Sequence, residues 1–216
     1  MLKYKEIVEK VLEEHRKVFL DVNEEEIEKL LQAIGEAKCI QVFGMGRMKC
    51  AVRAFVMRLM HMGFNAHVVY DTTCPNIGKG NLLIVNCACT SVDYLVMQLA
   101  KKAGAKVVAI TAHPESKAGK LCDFTVRLCG QVHPGRKGEI PSIQPMASLF
   151  EQTIFILEDI IVQLLMEKLN INAQQMAKRH TNLDGYMEFN AETCKFPKID
   201  YNILKLKNSS GGDTYT

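Results

Sequence analysis

The chain has 216 residues, enough for one domain with a sizeable core, and 48% of them are hydrophobic against 24% charged, the balance of an ordinary soluble protein. A formal net charge of +3 is too small and too dispersed for a nucleic-acid binder. There is no apolar run of about twenty residues, so no membrane span is expected, and Met-Leu-Lys-Tyr-Lys-Glu at the start lacks the apolar centre of a signal peptide.

The first segment reads as a helix, with Ile7, Val8, Val11, Leu12, Val18 and Phe19 apolar and Glu9, Glu13, Glu14 and Lys17 between them. Asn23 followed by Glu26 has the spacing of a capping box, although Ser or Thr is the usual cap. Ile27, Leu30, Leu31 and Ile34 make the next stripe, which Gly35 is expected to end. Two amphipathic helices ahead of any strand need a surface to cover, either the sheet or a second subunit.

Residues 39–63 organise the chain. An apolar run over 39–43 predicts a buried strand. Gly44 and Gly46 allow a tight turn, and Ala51, Phe55, Leu59 and Met62 recur at helical spacing up to Gly63. A strand, a glycine turn and a helix N-terminus together make an anion site. The pattern is not the dinucleotide fingerprint, because Lys49 stands where the third glycine belongs, and no cofactor is expected.

Strands are then predicted over 67–70, 82–85, 107–111 and 124–128. Helices are predicted over 94–103, from Ser116, and over 147–169. Strands alternating with helices, most of them continuous apolar runs, imply an α/β fold with a parallel sheet covered on both faces. Such sheets bind ligands at the carboxyl ends of their strands. Residues 130–146 form a long loop of the kind that is often functional. In the helix after it, Phe150, Ile154, Leu157, Ile161 and Leu164 are joined by Ile156, Ile160 and Leu165, an apolar arc wide enough for two neighbours. The boundaries expected are a single domain over 1–184 and a partly flexible C-terminal extension over 185–216.

The eight cysteines contain no Cys-x-x-Cys pair, so reduced thiols in the cytoplasm, no disulfide and no metal are expected. Cys87 and Cys89, one residue apart, make at most half a metal site. In the same loop Thr90 or Ser91 reads as the N-cap of the following helix.

Several motifs resemble those of sugar isomerase (SIS) domains, and within them the 6-phospho-3-hexuloisomerases. They are Gly44-Met-Gly-Arg47, Phe55-Val-Met-Arg-Leu-Met-His-Met-Gly63, Ala109-Ile-Thr111 with Pro114-Glu-Ser116, Gln144-Pro-Met-Ala-Ser-Leu-Phe-Glu-Gln152 and Arg179-His-Thr-Asn-Leu-Asp184. The resemblance implies a five-stranded parallel sheet between helices, a homo-oligomer, tetrameric, with sites shared between subunits, and isomerisation of a sugar phosphate through an enediol. It places Glu151 as the base, His180 as the acid at the sugar oxygens and His61 as the second choice of acid. Gly46, Arg47 and Gln144 fall at the substrate.

One loop departs from the family. Its Ser-Gly-Ser-Gly-Glu-Thr phosphate loop is here Cys87-Ala-Cys-Thr-Ser-Val92, and Met48 and Lys49 replace a serine and a glycine. The hydroxyls expected at a phosphate are gone from their positions, each worth roughly 1.5–3 kcal/mol to a charged group. Ala88 and Thr90 in place of glycines add strain wherever positive φ is required. Backbone amides, Lys49, Thr90 and Ser91 are left to compensate. Arg58 lies about 16 Å along the helix from Arg47, so Arg58 and His61 serve either a neighbouring subunit's site or acidic partners of their own. Two rival readings stand beside the isomerase: a non-catalytic SIS protein that binds a carbohydrate, and an enzyme for a different sugar derivative.

Overall fold

The computed structural model describes residues 3–133 and 136–183. The chain divides into two compact units, Met1–Arg179 and His180–Thr216. The expected extension over 185–216 lies outside the described residues, as does Asp184.

In the first unit, β1 (Cys39–Gly44), β2 (Ala66–Val68), β3 (Asn81–Cys87), β4 (Lys106–Thr111) and β5 (Phe124–Arg127) form one sheet in the order β2-β1-β3-β4-β5. Every pairing in it is parallel. The helices are α1 (Tyr4–Leu20), α2 (Glu24–Glu36), α3 (Met48–Met62), α4 (Ser91–Lys102), α5 (Ser148–Leu169) and a short α6 (Ala173–Ala177). No helix among the described residues is long and apolar enough to cross a membrane.

The central strands read as continuous apolar runs because both faces are covered. Ile40, Val42, Leu82, Ile84, Val108 and Ile110 face a core shared with α2, α3 and α5. Phe43, Leu83, Val85, Val107 and Ala109 face Val96, Met97 and Ala100 of α4. Each Val, Leu, Ile, Phe or Met side chain among them contributes roughly 1.5–3 kcal/mol by leaving water. Both early helices lie against the rest of their own unit, α1 on α5 and α2 on β5 and α5.

Four local expectations need correction. Asn23 caps α2 by accepting from Glu25 N at 2.8 Å, but Glu26 does not close a box. Its Oε2 instead accepts the backbone N–H of Arg127 at 2.7 Å, a tertiary bond to the edge strand that outcompetes the local one. Gly35 does not terminate α2, which runs on to Glu36 and ends at Ala37. The second strand ends at Val68, and Tyr70 turns away with φ +71 so that the chain can pass over β1 to reach β3. Gln41 Nε2 pins that crossing by donating to Pro75 O at 2.7 Å. After Ser116 the expected helix is only a 3-10 turn, Gly119–Leu121.

Candidate active site

β1 stops at Gly44, in register with Asn86 one residue before the end of β3. Because β2 lies on one side of β1 and β3 on the other, the connections diverge there and open a crevice at the strands' carboxyl ends. A Cβ on Gly44 would stand 3.0 Å from Val52 Cγ2 and 3.3 Å from Met48 Cβ, so glycine lets α3 start directly against the strand end. Gly46 takes φ +56, the left-handed turn that glycine makes without strain. Arg47 thereby becomes the residue at the N-terminus of α3.

From there the Arg47 guanidinium reaches the first turn of α5. Its Nη1 donates to Glu151 Oε2 at 3.0 Å and to Ser148 Oγ at 3.3 Å. The Arg47 side chain is 56% exposed and that of Glu151 19%, so the pair sits at a mouth with its carboxylate mostly shielded. The helix N-terminus favours a negative charge at Glu151. Both residues line a cleft of about 760 Å³ whose other walls are Val11, His15 and Phe19 of α1, Cys50 of α3, and Gln152, Phe155 and Ile156 of α5. Gln144 stands beside this turn, accepting from Gln152 Nε2 at 2.9 Å and donating to Glu14 Oε2 at 3.3 Å. A carboxylate beside a guanidinium in such a cleft can take a proton from carbon and steady charge on an adjacent oxygen.

The loop after β3 borders the crevice on its other side. Thr90 is the N-cap of α4 in a full capping box: its Oγ1 accepts from Asp93 N at 3.2 Å and its own N donates to Asp93 Oδ2 at 2.8 Å. Positive φ falls on Cys89, at +64, and not on Ala88 or Thr90, so the strain expected at those two positions is absent. Cys87 is buried, Cys89 is half-buried and Ser91 is exposed. Lys49, half-buried in the first turn of α3, makes no ion pair among the described residues.

No protein-family model matches the chain. It is 35% identical over 185 residues to 3-hexulose-6-phosphate isomerase of Bacillus subtilis (strain 168), covering 85% of this chain and all of that one. The chain belongs to the 3-hexulose-6-phosphate isomerase family. It is also 34% identical over 165 residues to the Mycobacterium gastri protein of the same name, covering 76% of this chain and 82% of that one. The fold agrees with a crystal structure from Methanococcus jannaschii whose inferred function is 3-hexulose-6-phosphate isomerase. That match has a TM-score of 0.70 at 30% identity and covers 84% of this chain and 99% of the other.

The remaining motif residues of this 3-hexulose-6-phosphate isomerase family member lie elsewhere. Arg58 is exposed on α3 and makes no ion pair among the described residues. His61 is 3% exposed in the last turn of α3, about 21 Å along the axis from Arg47, and does not line the cleft. Arg179 closes that end of α3: its Nη1 donates to His61 O at 3.4 Å, a cation placed on a helix C-terminus. His180 belongs to the second unit, where its Nδ1 is 3.1 Å from Thr181 O.

Sequence reasoning missed two residues at the site. Glu14 is 8% exposed and accepts from Ser142 Oγ at 2.6 Å and Ile143 N at 2.7 Å, holding the segment that carries Gln144. Nothing in the α1 stripe marks it, since Glu14 reads as one more polar position. His15 lines the cleft with Nδ1 2.7 Å from Val11 O, and a carbonyl only accepts, so Nδ1 carries the proton and Nε2 is left for other work. A third residue, Asp93, was legible, because Thr90-x-x-Asp93 has capping-box spacing.

Proposed function

We propose that the chain interconverts a 3-ketohexose 6-phosphate and fructose 6-phosphate through an enediol, with Glu151 as the base. The observation that carries this reading is the Arg47–Glu151 pair at 3.0 Å on the cleft wall. The relatives named 3-hexulose-6-phosphate isomerase support the same reaction. Glu151 removes the proton from C2 while an acid protonates the carbonyl oxygen on C3, giving the 2,3-enediol. Glu151 then returns the proton to C3, the hydroxyl on C2 loses its proton, and the ketone stands at C2. Arg47 steadies the charge that grows on the oxygens.

The acid in this scheme is a doubly protonated imidazole, whose Nε2–H gives its proton to the oxygen on C3 and whose Nε2 then takes the proton from the hydroxyl on C2. His180 is the choice from its motif, with His15 of the same cleft as Glu151 as the alternative. Gly46, Lys49, Thr90, Ser91, Cys87, Cys89 and Gln144 surround the substrate, and the exposed Arg58 serves a neighbouring subunit's site in a homotetramer, whereas His61 is too buried to reach one. A second copy has apolar surface to cover, because Phe155, Ile156 and Ile160 of α5 are 40%, 42% and 40% exposed. The reading includes a cytoplasmic setting, which the seven free thiols among the described residues fit.

The test is solvent-deuterium exchange into fructose 6-phosphate. The parent chain incorporates deuterium, and Glu151→Gln, which keeps the shape and loses the base, binds the sugar phosphate without exchange. Exchange that persists in Glu151→Gln rejects that base, and none in the parent chain rejects the activity.

One observation favours an enzyme for a different sugar derivative. In the loop after β3, the N–H groups of Cys89 and Thr90 already donate to Cys87 Sγ at 3.3 Å and Asp93 Oδ2 at 2.8 Å, where a phosphate would need them. Thermal shifts with fructose 6-phosphate against fructose separate the two readings.

A further inference from the structure

Cys87 and Cys89 are two residues apart on a chain leaving a β-strand, where side chains so spaced normally stand about 6.6 Å from each other. The positive φ of Cys89 folds the chain back, and the two sulfurs are only 4.0 Å apart. Closing to the disulfide length of about 2.05 Å needs a movement of about 2 Å, within reach of side-chain rotation.

The two thiols are held differently. Thr111 Oγ1 accepts from His113 N at 3.1 Å, which leaves its own hydrogen for Cys89 Sγ at 3.5 Å. Ser116 Oγ accepts from Gly119 N at 3.1 Å and from the Cys89 thiol at 3.3 Å. Two hydroxyls thus lie within hydrogen-bond reach of Cys89 Sγ, and each can turn its hydrogen to the sulfur once the thiol ionises. Cys87 Sγ accepts the N–H of Cys89 at 3.3 Å and lies 3.8 Å from Asp93 Oδ2. Asp93 is wholly buried and its Oδ1 has no hydrogen-bond partner among the described residues, so this carboxylate can take a proton from Cys87.

We infer that Cys87 and Cys89 form a reversible dithiol–disulfide pair at the mouth of the crevice, with small disulfides as the reaction partner. Cys89 is the half-buried, attacking sulfur, and Cys87 behind it resolves. The Cys89 thiolate attacks one sulfur of a small disulfide RSSR, forming Cys89–S–SR and releasing RS⁻. Cys87 gives its proton to Asp93 and attacks Cys89 Sγ, forming the Cys87–Cys89 bond and releasing a second RS⁻. Both thiolates pick up protons, from Asp93 and from water. The two cysteines are thereby oxidised and RSSR is reduced to two RSH. The charges agree with this division of labour. The hydrogen bond from Cys87, helped by Ser116, Thr111 and the charge of His113, brings Cys89 down to about 5 against the desolvation that opposes it. The pairing with Cys89, together with burial and the nearby Asp93, pushes Cys87 up.

The test uses the full reduced chain and oxidised glutathione, followed by alkylation and peptide mass mapping. An internal 87–89 disulfide is expected, reversed by dithiothreitol. Cys87→Ser is expected to stop at a stable glutathione adduct on Cys89. In the untreated chain at pH 6, iodoacetamide should modify Cys89 roughly tenfold faster than the exposed Cys50, the gain in thiolate outweighing the loss in nucleophilicity. Equal rates at Cys89 and Cys50, or a glutathione adduct on Cys89 that persists in the parent chain, overturns the inference. None of these readouts involves sugar turnover, so they stand or fall apart from the isomerase reading.

Discussion

Asn86 Nδ2 donates to Glu158 Oε1 at 2.9 Å, joining the end of β3 to the middle of α5 beneath the crevice. Asn86 is fully buried and Glu158 is 2% exposed, while Asn86 Oδ1 and Glu158 Oε2 have no hydrogen-bond partner among the described residues. Burial pushes the Glu158 carboxyl up to about 8, the charge of Asp159 adds to the rise, and the bond from Asn86 opposes it.

This pair predicts a pH dependence of stability. Between about 4.5 and about 8 the native chain keeps a proton on Glu158 that the unfolded chain has released. Native binding of more protons means that stability falls as pH rises through this window and levels off above it. Glu158→Gln, neutral at every pH, should flatten the profile and exceed the parent above pH 8 by on the order of a few kcal/mol. Urea unfolding at pH 5, 7 and 9 checks it. Parallel profiles for the two proteins would show that Glu158 is charged in the folded chain.

Arg47 is predicted to matter for turnover and little for folding. Its side chain is 56% exposed, and an ion pair so placed contributes about 0–1 kcal/mol to stability. Arg47→Ala should lower kcat for the proposed isomerisation on the order of a hundredfold, as loss of one stabilising donor does elsewhere. Its melting temperature should remain close to that of the parent. A large loss of stability with unchanged kcat would make Arg47 a structural residue.

Glu14 is predicted to act at a distance, as a positioning residue. Glu14→Ala removes the acceptor of Ser142 Oγ, Ile143 N and Gln144 Nε2 together. These donors are only part-buried and can turn to water, so the loss costs about 1 kcal/mol of stability, and a displaced Gln144 should raise KM more than it lowers kcat. Glu14→Gln, which keeps an acceptor oxygen, should recover part of both. Kinetics with no change in KM in Glu14→Ala would remove Glu14 from the account of the site.

Self-association is predicted through the exposed apolar side chains of α5, two of which, Phe155 and Ile156, also wall the cleft. Phe155, Ile156 and Ile160 stand 40%, 42% and 40% exposed on a helix whose opposite side is core. Phe155→Glu with Ile156→Asp should shift light scattering from an oligomer, a tetramer in the proposed assembly, to a monomer with its fold intact by circular dichroism. A parent chain that is monomeric at micromolar concentration refutes the assembly.

The five strands, most of the helices, a cap at Thr90 or Ser91 and the closure of α3 at Gly63 were all readable from the sequence. Each depends on hydrophobic periodicity or turn chemistry within a few neighbouring residues. The motifs around Arg47 and Glu151 were also visible as separate stretches. What only the tertiary structure decided were contacts between residues far apart in the chain. Arg47 meets Glu151 across 104 positions, Glu14 holds Ser142 across 128, and Glu26 leaves its own helix cap for Arg127 across 101. No local pattern encodes such partners, because a polar side chain on a helix looks alike whether solvent or another segment satisfies it. The loop after β3 shows the same division. Its cysteines were plain in the sequence, but their 4.0 Å approach required a left-handed turn at Cys89 that no glycine announces. Packing of α4 against β3 and β4 supplies the reason for that turn, since it sets where the helix must begin.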